Sequence, residues 1–175
     1  MAKVRRIVTG HDASGRSIFL FDDELPKTDG FWAGTEIWST DSTPADNSGT
    51  VDQSRPDQRL PAELGSSVCY AEIPPESAVA HMDPAAVEKM MRDRMASIGA
   101  EHFLVPGRHW RMHRTPTIDY VVLLSGKLTL MLDEGEVEIG PGDVVVQRGT
   151  AHSWINRGEE PARTLSITIN ARPAV

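Results

Sequence analysis

Between Gly107 and Asn156 the chain sets two glycine-punctuated histidine segments on either side of a run of short apolar stretches, and this spacing constrains the fold most. The first segment reads GRHWRMHRTPTIDYVVLLSG. Five residues separate Gly107 from His113, Asp119 lies six positions beyond His113, and six more residues separate Asp119 from Gly126. The second reads GDVVVQRGTAHSWIN, with Gly149, His152 and Asn156 at its end. From Asp119 onward the runs DYVVLLS, KLTLMLD, EVEI, DVVVQ, HSWIN and RTLSITIN are short and rich in Val, Leu, Ile and Thr. Turn pairs such as Ser125-Gly126, Glu134-Gly135 and Pro141-Gly142 separate them. Short strands at regular spacing with turn residues between them predict a sandwich or a barrel. Asp133-Glu134-Gly135-Glu136 predicts a tight hairpin.

Residues 1–66 are poorer in strands and richer in turn formers, with β candidates at Arg5–Val8, Ser17–Phe21 and Thr35–Ser39 and a loop over Asp41–Thr50. Ser67–Ile73 reads as a strand ended by Pro74-Pro75. One helix is expected around residues 83–98: Asp83 is a natural N-cap, Pro84 suits the first helical position and Gly99 supplies a left-handed stop. Val87, Met91, Met95 and Ile98 make one apolar stripe on it. That stripe suits packing on a barrel wall, or a lid over an apolar pocket.

A chain of 175 residues suits one domain. Its net charge of −7 argues against a nucleic-acid partner, which demands a basic face. The single cysteine, Cys69, excludes an internal disulfide and fits a reducing compartment. No apolar run approaches the roughly 20 residues that span a bilayer, and the N-terminus MAKVRRIVTG has no secretory apolar core. A cytoplasmic protein with no membrane partner is the expectation.

The two histidine segments resemble the paired motifs of the cupin superfamily. In cupins the first motif runs glycine, five residues, His-x-His, three or four residues, glutamate, six residues, glycine. Here Gly107, His113-x-Thr115, Asp119 and Gly126 keep every interval, with Thr115 in place of the second histidine and Asp119 in place of the glutamate. The second motif, ending Pro-x-Gly-x-x-His-x-x-x-Asn, is matched by Gln147-x-Gly149-x-x-His152-x-x-x-Asn156 with the proline lost. The resemblance implies an all-β double-stranded β-helix, a jelly-roll cupin barrel over residues 67–175. Residues 1–66 would form an N-terminal extension packed on the barrel or on a partner subunit. Cupins are often dimers, so a homodimer is implied.

Alternation along a strand lets His113, Thr115 and Asp119 point into one barrel mouth, with His152 entering from a facing strand. Three readings of that site stay open. His113, His152 and Asp119 could hold a divalent metal (Fe, Zn, Mn or Ni) in a facial triad that acts on a carbonyl-containing substrate, as in a cupin dioxygenase, isomerase or lyase. Without metal, His113 and His152 could carry proton transfer in an isomerase or dehydratase. Lastly, the histidines could line a non-catalytic pocket for a small ligand. Thr115, Trp154 and Gln147 are the candidate substrate contacts; Trp154 stands two residues past His152 and can face the same interior. His109, His11, His81 and His102 are expected in solvated loops, and Arg114 is expected to point away from the site.

Overall fold

The fold is that of a computed structural model that describes residues 3–28, 30–56 and 60–173. In chain order the strands are β1 (Lys3–His11), β2 (Ser17–Pro26), β3 (Gly34–Thr40), β4 (Ser66–Ile73), β5 (Thr117–Ser125), β6 (Leu128–Leu132), β7 (Glu136–Ile139), β8 (Val144–Gln147), β9 (His152–Ile155) and β10 (Ala162–Asn170). The helix α1 (Pro84–Ser97) lies between β4 and β5. Every apolar run read as a strand forms one; some, such as β8, alternate between exposed and more buried positions, while β6 is buried at four consecutive positions between its neighbours.

Two sheets face each other as a jelly roll, one ordered β3-β4-β10-β5-β8 and the other β7-β6-β9. Leu123, Leu128, Ile139 and Ala162 fill one end of the space between them, with Ile73, Val145 and Trp154 packed against that cluster. Gly126 makes the β5–β6 turn there. Its φ is +84°, and a Cβ at this position would lie 2.9 Å from the Ala162 Cα, so only glycine satisfies both the turn and the close approach.

The other end of the barrel interior is held open by small residues. On the inner face of the larger sheet, Thr117, Thr164, Ser166 and Thr168 stand where bulkier side chains would fill the space. α1 closes over it. Asp83 caps the helix by accepting from the Ala85 amide at 2.8 Å, and Gly99 ends it at φ +69°. Met91, Met95 and Ile98 of the apolar stripe turn inward together with Arg94. The stripe therefore roofs a cavity.

After the helix the chain returns along the smaller sheet. His113 bridges His152 on one side and Leu104 on the other, so this segment adds backbone pairing beyond the edge of β9. Asn156, the last residue of the second motif, braces the far end of β9: its side-chain amide donates to the Ile73 and Glu160 carbonyls at 2.8 and 2.9 Å.

β1 and β2 form a separate two-stranded arm. Buried Arg6 ties it to the barrel. Its guanidinium forks onto Asp23 at 2.9 and 2.6 Å, and Nη1 donates to the Ile37 carbonyl and to Asp52. Among the described residues no helix is long and apolar enough to cross a membrane.

Candidate functional site

The cavity under α1 has a volume of about 250 Å³. Along one stretch of chain, Arg111, His113, Thr115, Thr117, Asp119 and Val121 all line it. These are alternate positions: Thr117, Asp119 and Val121 share one face of β5, and the segment before it, from the turn at Arg111 through the bridge at His113, brings the other three to the same cavity.

His113 and His152 sit at its centre. They are directly cross-strand neighbours, each amide donating to the other's carbonyl at 3.0 Å. Side chains of such a pair project to the same face, and the two rings lie 4.3 Å apart between centroids. His152 thus approaches His113 from the adjacent strand and not, as expected, from across the barrel.

Each ring is fixed by a backbone carbonyl. His113 Nδ1 lies 2.8 Å from the Arg111 carbonyl, and His152 Nδ1 lies 2.9 Å from that of Thr150. A carbonyl oxygen only accepts, so His113 Nδ1 carries the proton and its Nε2 the lone pair. His152 Nδ1 also lies 3.0 Å from the Gln147 amide nitrogen, but the two amide hydrogens go to the Thr150 carbonyl and hydroxyl, so the Thr150 carbonyl assigns the same tautomer to His152. Burial lowers the pKa of both imidazoles. For His152 burial and the neighbouring His113 bring it to about 3. Both rings are neutral at physiological pH.

Asp119 enters the cavity from β5 with one carboxylate oxygen, Oδ1, buried and without a partner. Burial raises its pKa, against hydrogen bonds from Thr117 and Thr168 that lower it. Thr115 also lines the cavity, its hydroxyl 2.7 Å from that of Thr117. Trp154 stands edge-on to His152 with centroids 5.8 Å apart and forms part of the wall.

Gln147 is not brought to the cavity. Its amide is consumed behind His152, donating to the Thr150 carbonyl at 2.9 Å and the Thr150 hydroxyl at 2.6 Å, which props the turn that presents the histidine. His109 is not solvated either: Nε2 meets Glu76 at 2.6 Å, and Nδ1 lies 3.1 Å from the Ser153 hydroxyl.

As for a metal, the two anchored imidazoles suit ligation. Asp119 does not complete the set, since among the described residues no group of three His, Cys, Asp or Glu is placed to hold an ion. Thr115 and its hydroxyl partner leave the position of a further ligand filled by neutral groups.

The residue that sequence reasoning missed is Arg111. It is 4% exposed, lines the cavity and lies against the rings of Phe31, Trp32 and Trp110 at 5.3, 5.8 and 4.5 Å. Strand alternation does not reach it, because Arg111 lies in the turn that the Met112 amide closes onto the His109 carbonyl at 3.0 Å. Thr117, Ser166 and Thr168 follow from the same alternation.

Fold and site together define a jelly-roll barrel whose interior is opened around a histidine pair. The chain belongs to the cupin family. A model of the cupin domain matches residues 101–168. A cupin-domain-containing oxidoreductase from Aspergillus ruber, fogC, is 30% identical over 97% of this chain and 74% of its own length. Another from Neurospora crassa, srdD, is 27% identical over 100% of this chain and 79% of its own. Phomopsin biosynthesis cluster protein C' from Diaporthe leptostromiformis is 49% identical over 39% of this chain and 37% of its own length. Among solved structures, one of unknown function from Rhizobium leguminosarum is 15% identical, covering 82% of this chain and 85% of that chain at a TM-score of 0.42.

Proposed function

We propose that the protein is a cupin-fold enzyme that takes a small carbonyl-containing molecule into the cavity and moves a proton on it, as an isomerase or dehydratase does. One observation carries this reading: two adjacent imidazoles, fixed through Nδ1, present their Nε2 lone pairs in a cavity roofed by α1. A neutral imidazole can take the proton from a carbon beside a carbonyl, and the neighbouring ring disfavours a second proton on the pair. Burial drives both rings toward the neutral form, so either Nε2 can serve as the base. Asp119, with its pKa raised and Oδ1 unpaired, can donate to the developing oxyanion while protonated. Thr115 and Trp154 would position the substrate. A homodimer and a cytoplasmic location belong to the same proposal, supported by exposed Ile7 and Phe19 on the β1–β2 arm and by a single buried cysteine.

A second reading has a divalent metal (Fe, Zn, Mn or Ni) held by His113 and His152, with the carboxylate of Asp119 drawn in. The carbonyl anchors on both Nδ1 atoms favour it, since metal-binding imidazoles are commonly oriented this way. The relatives named as oxidoreductases also favour it. Elemental analysis after reconstitution with each metal separates the two. The proton-transfer reading expects less than about a tenth of an ion per chain, together with solvent deuterium entering small ketones incubated with the protein in D2O. One ion per chain, lost in His113→Ala and His152→Ala, would replace it with the metal reading. Neither metal nor exchange would leave a non-catalytic binding protein.

A further inference from the structure

Arg111 has the donors of a bidentate anion site and no anion on them. Its Nη1 lies 3.4 Å from the Trp154 carbonyl, whereas Nε and Nη2 are buried without a partner. Those two nitrogens form the side-on edge of a guanidinium, whose parallel N–H bonds match the two oxygens of a carboxylate. The same chain uses this edge twice elsewhere. Arg5 meets Asp22 through Nε and Nη2 at 2.8 and 2.9 Å, and Arg6 meets Asp23 through the same pair at 2.9 and 2.6 Å. At Arg111 the aromatic rings of Phe31, Trp32 and Trp110 surround the cation and offer no acceptor oxygen.

The carboxylate whose charge acts on Arg111 does not fill the gap. Glu76 acts on Arg111 through space, but its Oε1 is bonded to His109 Nε2 at 2.6 Å. Burial brings the Arg111 pKa down to about 10, which still leaves it charged at neutral pH. A buried cation without a hydrogen-bonded counter-charge is costly. Both free nitrogens are sealed from bulk solvent, and the residue lines the cavity. Arg94, on the roof, likewise has a buried Nη2 without a partner.

We propose that the cavity recognises a carboxylate, which Arg111 holds through Nε and Nη2 while the apolar body of the molecule lies between Trp154 and the Met91–Met95–Ile98 stripe. The inference rests on the cavity being the place where the enzyme binds its substrate, and it adds the substrate class: small organic acids with an apolar portion.

The test compares isosteric pairs, benzoate against benzamide and octanoate against octanamide, by calorimetric titration of the full chain. The acid of at least one pair is expected to bind tenfold or more tightly than its amide. Arg111→Lys, which keeps the charge and loses the fork, should cut that preference severalfold, and Arg111→Gln should abolish it. Arg114→Gln, at an exposed arginine outside the cavity wall, should leave it in place. Equal binding of acid and amide, or a preference that survives Arg111→Gln, would overturn the carboxylate site while leaving the cavity as a binding site. Failure of every compound to bind would overturn both this inference and the reading of the cavity beneath it.

Discussion

His152 is a buried and His113 a half-buried polar ring in a place where a core would normally be apolar, and the fold holds both neutral. His152 has a folded-state pKa of about 3, below the roughly 6.5 of an unfolded chain. The unfolded chain therefore takes up the proton first as pH falls. Stability is unaffected by this group above about pH 6.5 and declines below it, by up to about 1.4 kcal/mol per pH unit. Asp119 works in the opposite direction, since its raised pKa lets the folded chain take up that proton first. His152→Asn, whose amide can still donate to the Thr150 carbonyl, should flatten the decline between pH 6.5 and 4.5 by about one proton. Urea unfolding midpoints measured across that interval read the difference, and an unchanged slope would place the titrating group elsewhere.

At the same scale, the place of His113, Thr115, Asp119 and Trp154 on the cavity wall was legible from the motif they resemble together with a strand's two-residue period. Gln147 failed for a reason periodicity does not carry: its amide finds Thr150 three residues on, a local bond that depends on turn geometry. Arg111 was missed for a similar reason, since it reaches the cavity from a turn in which the Met112 amide bonds the His109 carbonyl.

Among the elements, turns and caps carry the register that brings the cavity residues together. Gly126 and Gly135 both have positive φ, at +84° and +82°, but only Gly126 has backbone at its shoulder. Gly135→Ala should cost only the strain of the left-handed conformation, about 1 kcal/mol. Gly126→Ala adds displacement of Ala162, which lies in the same buried cluster as Leu123 and Leu128, and should cost clearly more. Thermal denaturation of the two variants side by side tests the order, and equal costs would mean that β5 and β10 part without resistance. The strands and α1 were readable because period, cap and stop agree at each. The direction in which the Met91–Met95–Ile98 stripe faces was not, since an apolar face specifies burial and does not say against what.

For the whole molecule, the question is how the arm and barrel share stability. The β1–β2 arm meets the rest through Arg6, which donates to the Ile37 carbonyl and pairs with Asp52, and through the Phe21–Trp38 contact at 6.3 Å, while the Arg6–Asp23 pair joins the two strands of the arm. Arg6→Ala should loosen the arm selectively. The cost stays below the roughly 3–5 kcal/mol of breaking a fully buried pair, because the Asp23 side chain is 41% exposed. Hydrogen exchange should quicken in β1 and β2 while amides of β6 and β9 keep their protection. A uniform rise across all strands would show that arm and barrel unfold as one unit.

The row from Arg111 to Val121 has a consequence for how such a protein changes over generations. Five of its consecutive inward positions carry a cation, an imidazole, two hydroxyls and a carboxyl, while intervening residues such as Met112, Arg114 and Tyr120 are absent from the cavity wall. Chemistry and scaffolding are thus interleaved on a single strand of text, read on alternate letters. Single substitutions on the inward letters can redirect what the cavity accepts while the backbone pairing of the outward ones is preserved. The exchange of a histidine for Thr115 relative to the cupin motif is one such edit, made inside a barrel that keeps its register.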